Sequence, residues 1–238
     1  MTTQLSRADA EDLRRSWDVR QEPFLPHRDE AFAVLADVAV GRRALDLAGG
    51  TGAIAARLRN DDVTLLDVDP VLLAIARAAL GDRVAVLAAD LGVPGWDAGL
   101  EFDAVVAGTA LHCFAPDRLR ELYREVHAVL APGGVFANAD RMPEGEPVAP
   151  DDGEPGGGEP GAAEPGDGLA GWREWWARAL AHPALADAAR NRVEGGSADF
   201  YPPASWHVDA LRAAGFRDVE VRWRRGDTAV VVARRARV

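Results

Sequence analysis

Three short segments hold the side chains best suited to grip a small ligand. The first is LDLAGGTG (45–52), an apolar run that opens into small residues. Ala48, Gly49, Gly50, Thr51 and Gly52 allow a tight turn and a close approach of backbone to ligand. A helix beginning there would present free amide donors to a polar group. Asp46, near the end of the apolar run, is placed to accept from a ligand ammonium. The second segment is TLLDVDP (64–70), where Asp67 stands 21 residues after Asp46. A carboxylate there accepts from both hydroxyls of a ribose. Asp69, next to Pro70, suits the helix cap better and leaves Asp67 for the ligand. The third is AADL (88–91), in which Asp90 fits an exocyclic adenine amine and Leu91 the ring face. Loop, acid and acid at three successive strand ends would converge on one crevice, fit for an adenosine cofactor.

The elements that must position these residues follow from periodicity. Residues 8–17 and 27–39 carry apolar positions at helical spacing. Short apolar runs at 43–48, 63–68, 83–89, 102–108 and 135–139 read as strands, and 53–58, 71–80 and 116–130 as the helices between them. Alternation of this kind predicts parallel strands joined by right-handed crossovers. Residues 171–193 predict one or two tryptophan-rich helices, and 204–214 a last helix capped by Gly215. Strands at 216–223 and 228–235, joined through 224–227, predict a hairpin. The expected fold class is α/β, a Rossmann-like doubly wound, mostly parallel sheet with a C-terminal antiparallel hairpin strand. The expected organisation is one domain over 1–238. Residues 1–40 would form an N-terminal helical cap and 169–214 a helical substrate-cap region. Residues 143–168 are almost entirely Pro, Gly, Glu, Asp and Ala, which predicts a mobile acidic insertion.

Taken in order and spacing, LDLAGGTG, TLLDVDP, AADL, FDAVVAGTALHCF and LAPGGVF resemble the class I S-adenosylmethionine-dependent methyltransferases. The resemblance is strongest over 43–138, and 214–235 is similar to that family's antiparallel seventh strand. Within the family the chain is similar to bacterial small-molecule enzymes of the trans-aconitate methyltransferase-like type. The resemblance implies S-adenosylmethionine as cofactor and S-adenosylhomocysteine as product. It implies that Asp46 and the loop Ala48–Gly52 hold the methionine moiety and Asp67 the ribose. Val68 and Leu91 would face the adenine, Asp90 its amine, and Thr109 the methionine end. Ala48 departs from the family's usual glycine, a change that is tolerable while its φ stays negative.

Methyl transfer to oxygen or nitrogen needs in-line placement of the acceptor and often a base. His112, just past the fourth strand, is the base candidate; packing or helix capping is the plainer role for it. Asp140, leaving the fifth strand beside the same crevice, is a second catalytic candidate, or else a simple loop acid. Trp172, Trp175 and Trp176 form either a core face or an aromatic wall, with Trp176 the candidate contact to substrate. Tyr201 and His207 flank Pro202–Pro203 and would close the site as a lid. Cys113 reads as a small core residue.

Composition bounds the partners. The 238 residues are 48% hydrophobic with a formal charge of −11, which repels polyanions and disfavours nucleic acid. Lysine is absent, so Schiff-base chemistry and a P-loop are excluded. A lone cysteine forms no internal disulfide or cysteine-based metal cluster, and no metal site is expected. No run approaches a membrane span, and the first residues lack a signal peptide's apolar core, which predicts a cytoplasmic chain. The expected function is methylation of an O, N or C atom of a small metabolite, in secondary metabolism; the oligomeric state stays open. Two alternatives remain: a non-catalytic cofactor-binding protein on the same fold, and an NAD-dependent oxidoreductase using Gly50-x-Gly52-x-x-Ala55.

Overall fold

A computed structural model describes residues 4–145, 167–192 and 196–237. Its elements in chain order are α1 (Arg7–Gln21), α2 (Arg28–Val38), β1 (Arg43–Leu47), β2 (Asp62–Asp67), α3 (Pro70–Leu80), β3 (Val84–Ala88) and β4 (Phe102–Gly108). Then follow α4 (Pro116–Val129), β5 (Leu130–Arg141), α5 (Asp167–Leu180), α6 (Ala186–Arg190), α7 (Ala204–Ala213), β6 (Arg217–Arg225) and β7 (Thr228–Arg234). The sheet order is β3-β2-β1-β4-β5-β7-β6. Neighbouring strands from β3 to β5 run parallel, while β7 is antiparallel to both β5 and β6. The strand order reverses between β1 and β4, and at their carboxyl ends such a sheet opens a crevice. The predicted fold class is therefore the observed one.

The sheet is covered on both faces. Leu119, Leu122, Tyr123 and Val126 of α4 pack with Phe136, Leu211 and Phe216 on one side. Phe32 and Leu35 of α2 join Ile54, Leu65 and Leu73 on the other. A third cluster ties α1 to α3 and α5 through Leu13, Val71, Ile75, Trp175 and Trp176. The edge strand β6 carries Arg217, Arg222, Arg224 and Arg225, charges that discourage pairing with another sheet. Among the described residues no helix is long and apolar enough to cross a membrane.

Two elements differ from the sequence reading. Residues 53–57 are successive turns and not a helix, and Leu58 follows as irregular chain. The cause is Asp46, whose Oδ2 accepts from the Ala55 amide at 2.8 Å and takes it out of the helical ladder. The strand read as 135–139 begins at Leu130, directly after α4. Pro132 and the two glycines interrupt it as a bulge, since the pairing jumps from Phe102–Leu130 to Ala104–Val135. The acidic insertion lies, from 146 to 166, outside the described residues.

Candidate functional site

Loops from the ends of β1, β2 and β4 meet at the crevice. A cavity of about 250 Å³ is lined there by Ala48, Gly49, Gly50, Thr51, Asp67, Val68 and Thr109, and by Arg28, Phe32 and Leu72. The structure thus brings together most of the loop residues singled out from sequence. Asp67 accepts from the amides of Gly50 (2.8 Å) and Asp69 (2.9 Å). Both carboxylate oxygens anchor the loop and each keeps a lone pair to offer. Burial, partly offset by these amides, raises its pKa. Asp69 caps α3 through the amides of Val71 and Leu72, the role expected for it.

Asp46 lies beneath this loop, fully buried. A Cβ on Gly49 would sit 2.7 Å from the Asp46 carboxyl carbon, so only glycine lets the loop lie on it. The Asp46 Oδ1 atom and the Thr51 hydroxyl have no hydrogen-bond partner among the described residues. Burial pushes Asp46 up to about 7, against the pull of the Ala55 amide.

Two non-glycine residues of the crevice are strained. Ala48 adopts φ +53 and Thr109 φ +56, the left-handed region. The condition under which an alanine is tolerable at 48, a negative φ, is not met: the turn imposes the conformation that a glycine would take freely. Left-handed backbone costs an L-residue roughly 1–2 kcal/mol, partly cancelled by the entropy a glycine loses on folding. Ala48→Gly is expected to stabilise the fold by about 0.5–1 kcal/mol, read as a melting temperature raised by roughly 2–3 °C. Thr109 is held by three bonds: its amide to Ala139 O at 2.9 Å, its hydroxyl to Gly108 O at 2.6 Å, and Arg28 to that hydroxyl at 3.0 Å. Strain held so firmly is characteristic of functional sites.

A second cavity, about 190 Å³, shares Trp17, Gln21, Thr109 and Cys113 with the first. Its further walls are Phe24, His112, Asp140, Trp172, Ser197, Asp199 and Tyr201. The His112 Nδ1 lies 3.0 Å from Asp140 Oδ1, and the His112 amide donates to Asp140 Oδ2 at 3.3 Å. Tyr201 stacks on the imidazole, centroids 4.6 Å apart and planes 17° from parallel. Burial by itself would lower the His112 pKa; the Asp140 carboxylate, helped by Cys113, outweighs it and holds the group well above 6.5. Burial likewise works to raise Asp140, and the imidazolium overcomes it, keeping the carboxylate below its usual range. The result is an ion pair with Nε2 as the imidazole nitrogen left for a ligand.

Several expected residues lie elsewhere. Asp90 is exposed and caps its own turn by accepting from Gly92 N at 2.7 Å. Leu91 is buried in the α4-side core, its carbonyl held by Arg118 at 2.7 Å. Neither lines the loop cavity. Trp176 packs into the α1–α3–α5 cluster, edge-on to Trp17 at 5.6 Å, and Trp172 is the indole that reaches the second cavity. His207 is buried and pairs with the Tyr123 hydroxyl at 2.6 Å; burial pushes it down to about 4. It is a core group, not a lid. Cys113, read as core, stands instead in the shared wall of the two cavities.

Arg28 was not anticipated. Its side chain is buried, bonded to Asp18 at 3.2 Å and stacked over Phe32 at 4.1 Å. The sequence offers only a basic residue ahead of an apolar helix, which on its own reads as a solvated end. Trp17, Phe24 and Asp199 were missed for the same reason: contacts far apart in sequence place them. Among the described residues no group of three or more His, Cys, Asp or Glu could hold a metal ion.

Residues 44–134 match the family described as "Methyltransferase domain". An uncharacterised methyltransferase of Mycobacterium tuberculosis is 41% identical over 98 residues, 40% of this chain and 38% of that protein. The chain therefore spans well under half of the curated relative it matches. Among solved structures, the S-adenosylmethionine-dependent methyltransferase SibL in its apo form is 21% identical with a TM-score of 0.60, covering 100% of this chain and 64% of that one. The DhpI–SAH complex is 19% identical with a TM-score of 0.60, covering 95% of each chain. The fold is that of S-adenosylmethionine-dependent methyltransferases such as these, and residues 44–134 are the stretch that resembles a methyltransferase domain.

Proposed function

We propose that this chain is an S-adenosylmethionine-dependent methyltransferase acting on a small metabolite in the cytoplasm. The observation that carries the reading is the pair of cavities sharing Thr109 and Cys113. One is built from a glycine loop and Asp67, the other from a histidine–carboxylate pair. The cofactor fits the first by its donor set. Gly49 and Gly50 leave backbone bare, Asp67 keeps acceptor capacity for ribose hydroxyls, and the Arg28 guanidinium suits a carboxylate. Asp46, the acid expected to meet the ammonium, does not line this cavity; it lies beneath the loop, with one oxygen unpartnered among the described residues and the other holding the Ala55 amide. When bound, S-adenosylmethionine supplies an electrophilic methyl group on a sulfonium sulfur. The chain's own residues do the rest. Asp140 orients His112 through Nδ1, Tyr201 fixes the ring plane, and Nε2, once the imidazolium has released its own proton to solvent, takes the acceptor's. α1 and α5, bringing Trp17 and Trp172, form the cap that excludes water. A net charge of −11 supports a small acceptor over nucleic acid.

Asp67→Ala tests the cofactor reading. Affinity for S-adenosylhomocysteine should fall about ten- to a hundredfold, the worth of hydrogen bonds to a charged acceptor plus a loosened loop. Calorimetry on the folded variant measures it, with NAD titrated in parallel. Unchanged affinity removes Asp67 from the site, and NAD binding of equal strength replaces the methyltransferase reading by a dehydrogenase.

A further inference from the structure

We propose that the cavity beside the His112–Asp140 pair is an acceptor subsite for one aromatic ring bearing a phenolic hydroxyl, in preference to a carboxylic acid. The inference rests on the methyltransferase reading and narrows its substrate class. Size comes first. The cavity measures about 190 Å³, and a cavity of roughly 150 Å³ holds a single benzene ring. One ring with a substituent matches that volume, whereas three fused rings exceed it and have to extend into the neighbouring cavity or out of the mouth. The walls come second. Trp17, Phe24, Trp172 and Tyr201 surround the space with aromatic faces and edges, the lining that a flat ring prefers.

Charge decides between a phenol and a carboxylate. His112 and Asp140 neutralise each other as a pair. Asp199 adds a further carboxylate to the same cavity, bonded by Ser197 Oγ at 2.8 Å. Arg141 lies over the Tyr201 ring at 5.6 Å and pairs with Asp227 at 3.6 Å. An acceptor that arrives as an anion meets Asp199 uncompensated. A phenol arrives neutral and meets His112 with its hydroxyl. Tyr201, stacked on His112, is pushed up to about 12 by burial, so its own hydroxyl stays protonated and does not compete as an anion.

The test titrates the full chain, with and without S-adenosylhomocysteine, at a pH low enough to keep 4-nitrophenol neutral while 4-nitrobenzoate stays ionised, with four probes: 4-nitrophenol, 4-nitroanisole, 4-nitrobenzoate and a three-ring anthrol. The expected result is 4-nitrophenol binding at least tenfold tighter than each of the others. Trp172→Ala should weaken it severalfold while leaving S-adenosylhomocysteine affinity unchanged. Nitrobenzoate or nitroanisole binding as tightly as nitrophenol overturns the phenol assignment, and tight anthrol binding overturns the size argument. S-adenosylhomocysteine bound with no preference for the phenol refutes this inference and keeps the methyltransferase reading. A phenol bound by a chain that ignores S-adenosylhomocysteine does the reverse.

Discussion

His112→Ala is expected to lower turnover on the order of a hundred- to ten-thousandfold, the usual loss for a general base, with S-adenosylhomocysteine affinity nearly unchanged. The expectation rests on Nδ1 being engaged by Asp140 at 3.0 Å while the ring lines the second cavity. The pH profile carries more information than the rate. A histidine accepts a proton only when neutral, and burial opposed and outweighed by Asp140 holds His112 well above 6.5. Turnover should therefore rise with pH through a value well above 6.5, and not level off near the ordinary histidine range. The groups facing the imidazole are Asp140, Cys113, Tyr201 and Asp199, with Arg141 over the tyrosine. Asp140→Asn removes the anion and leaves burial, which acts the other way. In that variant the limb should move to lower pH, with turnover reduced through poorer orientation. A limb that stays in place in Asp140→Asn would assign it to another group, and near-native turnover in His112→Ala would show that the acceptor needs no base.

The sheet was legible in the sequence because each buried parallel strand is a continuous apolar run, and each run ends in a turn residue. Runs such as 43–48 and 102–108 need no knowledge of their neighbours. The helix expected at 53–58 failed for a reason local periodicity does not carry. Its apolar spacing is helical, yet Asp46 captures the Ala55 amide from the strand before it. The bulge in β5 is similar: Pro132 and the glycines read as a stop, and only pairing with β4 shows that the strand has already begun. In the site, the loop and Asp67 were readable because one strand end sets their geometry. Asp90 stands two residues past the end of β3, exposed and turned onto its own loop, a placement that the strand's apolar run does not determine. Trp176 and His207 lie outside the walls of both cavities, because helical spacing defines a face without saying which face meets the cavity. Arg28, Trp17 and Asp199 reach the site from three segments that only the tertiary fold brings together, so no local pattern marks them.

Asp46→Asn is expected to raise the stability of the ligand-free protein at pH 7 to 8 and to remove a proton exchange from cofactor binding. Asp46 is fully buried, with Oδ1 unpartnered among the described residues, and burial pushes it from 3.8 up to about 7. A carboxyl whose folded value exceeds its unfolded one holds its proton longer in the native state. Between about pH 4 and 7 the native state therefore binds more protons than the unfolded chain, and stability falls as pH rises. A shift of this size corresponds to roughly 4 kcal/mol, on the order of ten degrees in melting temperature for a chain of this length. An asparagine keeps an oxygen for the Ala55 amide and carries no proton to lose. Its melting temperature should vary less between pH 5 and 8, with a residual slope of the same sign from Asp67, which burial also raises. The functional side follows from the same carboxyl. If the cofactor's ammonium settles against Asp46, it lowers that pKa, and binding near pH 7 releases a proton. Calorimetry in buffers of different ionisation enthalpy would read that release in the wild type and its absence in Asp46→Asn. A wild type that melts independently of pH would refute the buried-acid account. Identical proton release in both proteins would place the ammonium elsewhere and leave Asp46 as the anchor of its loop alone.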